Sequence, residues 1–402
     1  MRNIEKLAIH GGEKVRQDKM PPRRALGDDE VAMLHKAIDH YRQQDADPGY
    51  QGPFEKLYTD AFARFMGGGY ADAVATGTAS IFVALKALDL PPGSEVLVSP
   101  ITDPGSLSAV ILAGFKPKLV DSMPGSYGTG PEQVAARIGP QTRAALIVHS
   151  VGQAAPIEQI MEACRAKGVK VVEDCAQAHG ARRAGKRVGA FGDIAAFSTM
   201  YRKAHMTGAS GGVVYSRDLD LFRQALAHAD RGKPRWMKDF DDRNPNTFLF
   251  PAFNLHTDEL SCAIGLASLG RIEDTIVRRL AFVSEFADGL IDQEGVCRPY
   301  AWTPGDSPFI LPIIVDRQRI RCSKSEFAWA VEAEGIGLNP HYQYLAVDWP
   351  WLQPHLADHF ETPNAREIRD SSFCLYLNEN YGEREVADAL AAIAKVERHY
   401  AD

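Results

Sequence analysis

Seven short segments between residues 95 and 173 alternate between two patterns, and this alternation constrains the fold more than any other feature. Four are apolar runs of strand length, and the three between them have helical periodicity. The strands are predicted at Glu95–Ser99, Pro117–Asp121, Ala145–His149 and Val169–Glu173, and the helices at Gly105–Ala113, Pro131–Ile138 and Ile157–Lys167. Such repeats require a mainly parallel sheet with helices on both faces. The chain is therefore predicted to have an α/β fold.

The last of these strands is followed at once by an acidic residue, Asp174. Open α/β sheets bind ligands in the crevice outside the carboxyl ends of their strands, so a carboxylate at this point lies where a ligand would bind. A further apolar strand, over residues 194–197, leads into Ser198, and Lys203 follows five residues later. The sequence therefore predicts that an acid, a hydroxyl and an amine lie along one edge of the sheet.

A lysine and a carboxylate in this order favour pyridoxal 5′-phosphate (PLP) as a cofactor. A lysine ε-amine forms a Schiff base with the PLP aldehyde, and a carboxylate beside the pyridine nitrogen keeps that nitrogen protonated. Lys203 and Asp174 fit these two roles. Each residue alone has a simpler interpretation, with Asp174 capping a neighbouring helix and Lys203 exposed on a loop.

A segment of small residues, from Ala75 to Ser80, precedes the helical pattern that begins at Ile81. Backbone N–H groups at a helix start are free to bind a phosphate, and the helix dipole assists them. On the residues alone, a helix cap and an anion site are equally good interpretations of this segment.

Together these segments resemble the DegT/DnrJ/StrS-type aminotransferases, a family of fold-type-I PLP enzymes. The resemblance is carried by the run Glu173-Asp174-Cys175-Ala176-Gln177-Ala178-His179-Gly180, followed by Gly192-Asp193, Phe197-Ser198 and Lys203. It extends over nearly the whole chain. It implies a large domain with a mainly parallel sheet flanked by helices, a smaller C-terminal α+β domain, and amination of keto-sugars or cyclitol ketones.

The resemblance also implies a role for each matching residue. Lys203 would form the internal aldimine, Asp174 would support the electron sink, and Gln177 would orient the ring hydroxyl. The phosphate of PLP would be held by Gly77, Thr78, Ala79, Ser198 and, in a homodimer with shared active sites, Asn254 from the other subunit. Asn254 has a second interpretation, as the cap of the long helix that follows it.

The activity that the resemblance implies is transamination in two half-reactions. L-Glutamate or L-glutamine would give its amino group to the cofactor, and a keto-sugar or cyclitol ketone would accept it. A PLP-dependent sugar dehydratase is one alternative, because such relatives have histidine in place of the lysine and His205 lies two residues from Lys203. A non-catalytic PLP-binding sensor is another, favoured by three departures from the family pattern at Asp103, Ser210 and His256.

Some departures fall where a substrate would bind. Relatives have an aromatic residue stacked on the PLP ring at the position of Asp103, so either another side chain covers the ring here or Asp103 contacts the substrate. His256 stands where relatives have an arginine, and residues 339–344 resemble a segment that lines the substrate mouth. The candidate substrate contacts are therefore Asp103, His256, His341 and Tyr344, although His341 and Tyr344 are equally well interpreted as packing aromatics.

Two further predictions concern packing. The spacing of Val31, Leu34 and Ile38 predicts an amphipathic helix over Asp28–His40 with these three residues on one apolar face. His149, at the end of a predicted strand, is as compatible with packing as with ligand contact.

The chain of 402 residues is long enough for two lobes. We expect an N-terminal arm over residues 1–30 that packs on another part of the assembly. A large PLP-binding domain is expected over 31–270, and a small C-terminal domain over 271–402.

Charge and composition limit the expected partners. The formal net charge of −7, without runs of like charge, argues against nucleic acid and against membrane surfaces. The apolar runs are too short for a membrane span, and the six cysteines form neither a C-x-x-C pair nor a zinc-binding spacing. We therefore expect a cytoplasmic protein with reduced thiols and no bound metal. Its partners would be a small-molecule amino donor and a keto acceptor.

Overall fold

A computed structural model of the protein describes residues 5–340, 342 and 344–401. Its strands are β1 (Tyr70–Val74), β2 (Glu95–Val98), β3 (Lys116–Leu119), β4 (Thr142–Val148), β5 (Lys170–Asp174), β6 (Arg182–Arg183), β7 (Lys186–Arg187), β8 (Ile194–Ser198), β9 (Gly212–Ser216), β10 (Cys297–Pro299), β11 (Ile310–Val315), β12 (Leu338–Asn339) and β13 (Ser372–Tyr376). Its α-helices are α1 (Asp28–Gln43), α2 (Pro53–Phe65), α3 (Gly77–Ala87), α4 (Pro104–Leu112), α5 (Pro131–Arg137), α6 (Ile157–Arg165), α7 (Leu219–Ala229), α8 (Glu259–Gly270), α9 (Ile272–Asp292), α10 (Lys324–Ala333), α11 (Pro363–Asp370) and α12 (Glu383–Tyr400).

The main sheet has seven strands in the order β1-β9-β8-β5-β4-β2-β3. The five strands from β8 to β3 in this order run parallel, whereas β9 is antiparallel to both of its neighbours. This mixed, mostly parallel sheet confirms the predicted α/β fold. Its strands are buried because they are short runs of Val, Ile, Leu and Ala with helices packed on both faces.

Side-chain caps fix where three helices of this layer begin. Thr76 accepts a hydrogen bond from the third residue of α3, Asp103 accepts one from the backbone of Gly105 in α4, and Asp258 caps α8. Each of these side chains satisfies an N–H group that has no partner inside its helix. The helix starts beside the carboxyl ends of β1 and β2 are therefore fixed by the local sequence.

A second sheet, of four antiparallel strands, lies in the C-terminal part of the chain. Its order is β10-β11-β13-β12. The 21-residue helix α9 leads into it from the main sheet, and α9, α10 and α12 cover it through a separate apolar core. The fold class predicted from the resemblance, a large mainly parallel domain with a smaller α+β part, is thus confirmed.

The first helix packs through a different face from the one that the apolar spacing predicts. Val31 and Ile38 are 46% and 41% exposed, whereas Ala37 and Tyr41 are buried against α8. The predicted helix over Asp28–His40 is thus present as α1, but Val31 and Ile38 do not form its buried face. Ala37 and Tyr41 pack against α8 instead. Tyr41 also donates a hydrogen bond to the buried Glu259 of α8 at 2.7 Å, which fixes this face of α1.

The first residues of the chain lie against its own C-terminal part. Leu7 is buried in the core of the small sheet, and Arg16 pairs with Glu385 at 2.9 Å and Asp388 at 2.7 Å. The Lys395 ammonium lies 2.9 Å from Glu334, whose carboxylate also accepts backbone N–H groups of this N-terminal segment. The two ends of the chain are thus joined by buried charges. Within the described ranges, no helix is both long enough and apolar enough to cross a membrane.

Candidate active site

A cavity of about 510 Å³ lies between the main sheet and the C-terminal part, and four of the predicted site residues line it. These residues are Asp103, Gln177, Lys203 and Tyr344. The remaining wall comes mainly from Arg23, from Phe309, and from the ends of β11 and β13. We call this space the Lys203 cavity. His341 falls outside the described residues, so the prediction for it stays untested.

Asp174 is the last residue of β5 and lies buried beneath this region. One carboxylate oxygen accepts the hydroxyl of Ser106 at 2.9 Å, and the other accepts the backbone N–H of Ala176 at 3.0 Å. Burial raises the pKa of Asp174 above its ordinary value. These two hydrogen bonds, and then the charge of Lys203, act to lower the pKa but do not outweigh burial. Asp174 is therefore held in a fixed orientation by groups that stabilise its ionised form, within electrostatic reach of Lys203. Ser106 gave no signal in the sequence.

The amine of Lys203 has a perturbed environment. Burial lowers its pKa to about 8, and the charges of Asp174 and Asp103 act in the opposite direction. Its nitrogen lies 4.3 Å from the centre of the Phe309 ring. A lysine with this pKa is partly neutral near neutral pH, and a neutral amine is a nucleophile and a base.

Arg23 holds the loop that carries Lys203, and the sequence gave no indication of this role. Its guanidinium donates to the backbone oxygens of Tyr201 at 2.9 Å, Lys203 at 2.5 Å and Ala204 at 2.8 Å. It also pairs with Glu379 at 2.9 Å. A planar guanidinium can donate to several acceptors at once. Because the three carbonyl groups that it binds lie within four residues of one another, they fix the course of the loop. The predicted N-terminal arm thus reaches the candidate site of its own chain.

The start of α3 adjoins Ser198 and the start of α4. The hydroxyl of Thr76 accepts the N–H of Ala79 at 2.9 Å, so Gly77 and Thr78 have the more available amides in this turn. A β-carbon added to Gly77 would lie 2.4 Å from the side chain of Ser198. Glycine is therefore required here, because any larger residue would close the gap between the helix start and Ser198.

Gln177 is held at the edge of the Lys203 cavity by its own hydrogen bonds. Its side-chain oxygen accepts the backbone N–H of Val151 at 2.7 Å, and the side chain also hydrogen-bonds to Tyr342. Val151 has a positive φ of 56°, a conformation that a β-branched residue rarely adopts. The bond to Gln177 is one of the contacts that hold this strained turn beside the cavity.

His205 points away from the cavity although it lies close to Lys203 in sequence. Its ring is buried, with Nε2 2.7 Å from the hydroxyl of Tyr58 and Nδ1 3.3 Å from that of Ser268. Burial lowers the pKa of His205 well below its ordinary value. His205 is therefore a neutral residue of the core beneath the loop.

The three departures from the family pattern all have structural partners. Asp103 caps α4 through Gly105, as described above, and its carboxylate is exposed at the cavity. Ser210 donates to the backbone oxygen of Ala75 at 2.9 Å. The ring of His256 is 1% exposed and lies 3.1 Å from Asp230, so it does not line the Lys203 cavity. The assignment of His256 as a substrate contact is thus not supported by the cavity of its own chain, and it stays a prediction.

Asn254 lies on the surface, away from the Lys203 cavity of its own chain. Its amide is 3.3 Å from the hydroxyl of Tyr50, whose ring stacks on His256 with a centroid separation of 4.7 Å. The helix that follows is capped by Asp258, which accepts the N–H of Ser261 at 2.8 Å. The interpretation of Asn254 as that helix cap is therefore wrong.

His149 is a packing residue. It is fully buried, with Nε2 3.0 Å from the carboxylate of Glu173, and its Nδ1 accepts the N–H of Ala155. Glu173 also accepts the backbone N–H groups of residues 189, 191 and 192. Burial raises the pKa of Glu173, but the hydrogen bonds from His149 and the backbone outweigh it and place the pKa below its ordinary value. Of the two interpretations of His149, packing is the one that fits.

The chain matches known proteins over most of its length. A model of the DegT/DnrJ/EryC1/StrS aminotransferase family matches residues 36–394. The spore coat polysaccharide biosynthesis protein SpsC of Bacillus subtilis (strain 168) is 26% identical over 352 residues, which cover 86% of this chain and 90% of that protein. GDP-perosamine synthase of Caulobacter vibrioides is 29% identical over 307 residues, which cover 76% of this chain and 80% of that one.

Among solved structures, the aminotransferase from Psychrobacter cryohalolentis has the same fold. The two chains superpose with a TM-score of 0.84 at 24% identity, over 93% of this chain and 97% of that one. The family match extends across both sheets and includes the segment from Asp174 to Lys203. The protein therefore belongs to the DegT/DnrJ/EryC1/StrS aminotransferase family, whose members are PLP-dependent enzymes.

Proposed function

We propose that the protein transfers the amino group of L-glutamate or L-glutamine to a keto-sugar or cyclitol ketone, with PLP bound to Lys203. The observation that carries the proposal is that the amine of Lys203 and the carboxylate of Asp174 are close enough for the charge of each to act on the pKa of the other. An amine whose pKa is about 8 faces a cavity of about 510 Å³, and a buried carboxylate lies within electrostatic reach of it. The two relatives, a spore coat polysaccharide biosynthesis protein and GDP-perosamine synthase, favour the keto-sugar over the cyclitol ketone.

The residues present fit PLP at three points. Asp174 has hydrogen-bond donors on both oxygens, which suits a carboxylate that must remain ionised beside a pyridinium nitrogen. Gly77 and Thr78 present amides at a helix start next to the Ser198 hydroxyl, which suits a phosphate. Lys203 lines the cavity, which suits a lysine that would hold the cofactor there. Gln177, at the cavity edge, would contact the ring hydroxyl.

Bound PLP would supply an electron sink for the carbon that loses or gains the amino group. The residues of the chain would do the rest. Lys203 would take the proton from that carbon and return it, which its lowered pKa favours near neutral pH. Asp174 would keep the ring nitrogen protonated. Arg23 would hold the Lys203 loop so that the amine stays within reach of the reacting carbon.

Two features favour a homodimer with shared sites. Asn254 and Tyr50 are hydrogen-bonded to each other and exposed, neither lines the Lys203 cavity of its own chain, and Phe253 is 65% exposed. Val31 and Ile38 of α1 are also exposed. Exposed large apolar side chains are common on a surface that a second subunit covers. We propose that Asn254 contacts the phosphate bound in the partner.

The dehydratase alternative needs a histidine at the position of the reactive lysine. His205 is the nearest in sequence, and its ring is engaged with Tyr58 and Ser268 in the core. The sensor alternative rests on Asp103, Ser210 and His256, whose structural partners leave Lys203 and Asp174 free to react. Neither alternative is favoured by a feature of the cavity.

The experiment measures cofactor attachment and the donor half-reaction separately. Borohydride treatment and digestion of the PLP-loaded protein should place the modified lysine on the peptide containing Lys203; Lys203→Ala should fold and lose the reducible absorbance. Glutamate or glutamine should convert the bound cofactor to its amine form in wild-type protein. Attachment to another lysine would contradict the site, and attachment without conversion by either donor would favour the sensor.

A further inference from the structure

A second cavity, of about 390 Å³, lies where α2, β1 and α7 approach one another. It shares no lining residue with the Lys203 cavity. Three carboxylate residues line it, and two of them are buried, Glu55 from α2 and Asp72 from β1; the third, Asp60, is exposed. We call this space the Glu55 cavity. None of the residues proposed to bind PLP lines this second cavity.

Both carboxylates are buried, and one of them lacks a partner. Glu55 and Asp72 are each 4% exposed. Glu55 accepts the backbone N–H of Gln51 at 3.0 Å, but Asp72 has an oxygen, Oδ2, with no hydrogen-bond partner among the described residues. Leaving a buried polar atom unpaired costs free energy, so this oxygen is suited to a ligand that donates a hydrogen bond.

The positive side chains at the cavity rim are bound elsewhere. Lys56 pairs with Asp60 at 2.7 Å, and Arg235 pairs with Asp230 at 2.6 Å. Among the described residues, neither forms an ion pair with Glu55 or Asp72, although the charge of Arg235 acts on Glu55. The two buried carboxylates therefore face the cavity without a direct ion pair in this part of the chain.

The pKa values of Glu55 and Asp72 are both raised, so the charge of a bound ligand would change how many protons the two groups hold. Burial raises the pKa of Glu55 to about 7; Glu259 acts in the same direction, whereas His256 and Arg235 oppose it. Burial, followed by the charges of Glu55 and Asp230, raises the pKa of Asp72 well above its ordinary value. A bound cation would favour the ionised form of both groups and would displace their protons.

The walls of the cavity favour an organic cation over a metal ion. Tyr70 and Phe222 stack with a centroid separation of 5.3 Å, and Trp236 lines the same space. Aromatic faces attract ammonium groups and pack against carbon chains. Calcium takes six or more oxygen ligands, whereas the one cluster of three metal-ligating side chains found among the described residues lies elsewhere, at His149.

We propose that the Glu55 cavity binds a small organic ammonium ion, with Glu55 and Asp72 accepting its N–H hydrogens and the aromatic side chains packing on its carbon chain. A primary alkylammonium has three N–H donors, enough for both carboxylates. The inference does not rest on the proposed function, because it uses neither Lys203 nor the cofactor.

The test is isothermal titration calorimetry with propylammonium chloride. The protein is the PLP-loaded form reduced with borohydride, so that the amine cannot react at the Lys203 cavity. The variants are Glu55→Gln, Asp72→Asn and the double variant, which keep the shape of each side chain. Asp60→Asn is the matched control, since Asp60 lines the same cavity but is exposed and paired with Lys56. Propanol and potassium chloride are the control ligands.

Propylammonium should bind the parent and Asp60→Asn with affinities within about twofold of each other, and each of the two single variants at least about tenfold more weakly. Affinity should rise between pH 6 and 8, because the alkylammonium stays protonated there while Glu55 loses its proton. Titrations in buffers of different ionisation enthalpy should show proton release. Absence of binding, equal binding by the double variant, or equal affinity for propanol or potassium would overturn the proposal.

Folding should not limit this test. Because the pKa values of both groups are raised, the free protein holds them largely as neutral carboxyl groups, and the amides match those groups in shape, so both variants should melt close to the temperature of the parent. If the proposed function failed and no PLP were bound, the same titration would be made on the protein as purified, and its outcome would still be decided by Glu55 and Asp72 alone.

Discussion

Replacing Arg23 with alanine should remove the hydrogen bonds that hold the Lys203 loop in position. Asp174 and its hydrogen-bond partners should stay in place. The guanidinium makes three hydrogen bonds to consecutive parts of that loop and one ion pair to Glu379. A hydrogen bond to a charged group contributes about 1.5–3 kcal/mol. Water from the cavity can replace some of these bonds, and Arg279 still pairs with Glu379 at 2.8 Å. We therefore expect the free energy of unfolding to fall by about 3 kcal/mol, the lower end of the range for breaking a buried pair.

The effect on catalysis should exceed the effect expected from stability alone. A displacement of about 1 Å in a reacting group lowers the rate about 100-fold. We expect Arg23→Ala to lower kcat and kcat/KM for transamination by about that factor under conditions where the variant is fully folded. Arg23→Lys should have an intermediate effect, because an ammonium keeps the charge but not the planar fork that serves several carbonyl groups.

The assay combines urea unfolding with steady-state kinetics and a pH titration of the cofactor absorbance. Arg24→Ala is the matched control, since it removes the same charge from an exposed neighbour and should leave all three readouts unchanged. If Arg23→Ala loses stability but retains kcat within about threefold and the same absorbance titration, then Arg23 stabilises the fold and does not position the lysine.

Three other predictions test the cofactor site and the assembly. Asp174→Asn keeps the shape of the side chain but removes its charge, so the half-reaction with glutamate should slow by several orders of magnitude; a rate within about tenfold of wild type would contradict the role of Asp174. Uptake of PLP by the cofactor-free protein requires the neutral amine of Lys203, whose pKa is lowered from 10.5 to about 8, so the uptake rate should rise about tenfold per pH unit below pH 8 and level off above it. A rate still rising in this way at pH 9 would mean that the pKa is not lowered. Mixing the inactive variants Lys203→Ala and Asn254→Asp should restore activity once subunits exchange, because a heterodimer has one site with both changes and one with neither. If activity does not recover after exchange has been demonstrated, Asn254 does not act in the site of the partner.

The elements that are set by local sequence could be predicted closely. The predicted strand Glu95–Ser99 and the predicted helix Pro131–Ile138 each extend only one residue beyond β2 and α5, and the strand before Asp174 is shifted by only one residue. Such patterns reflect which side of an element is buried, and each residue contributes independently. For the same reason Asp174 and Lys203 could be assigned to one edge of the sheet.

Features that depend on distant parts of the chain could not be predicted. Arg23 meets the Lys203 loop across 180 residues of sequence, and a single arginine after two prolines carries no sign of its partners. The buried face of α1 was mispredicted because burial there depends on the hydrogen bond from Tyr41 to Glu259, 218 residues away. Asn254 could not be distinguished from a helix cap, because Asp258 offers the same chemistry four residues later.

The joining of the two chain ends has a consequence for the order of events during synthesis. Arg16 finds its carboxylate partners on α12, about 370 residues later in the chain, and Leu7 enters a core that α10 and α12 complete. A ribosome synthesises α12 after the preceding elements, so the N-terminal segment has no partner to dock on until α12 has emerged. Arg23 follows directly after this late-docking segment. The Lys203 loop should therefore become ordered only after α12 has emerged, and a chain that lacks α12 should be unable to retain the cofactor.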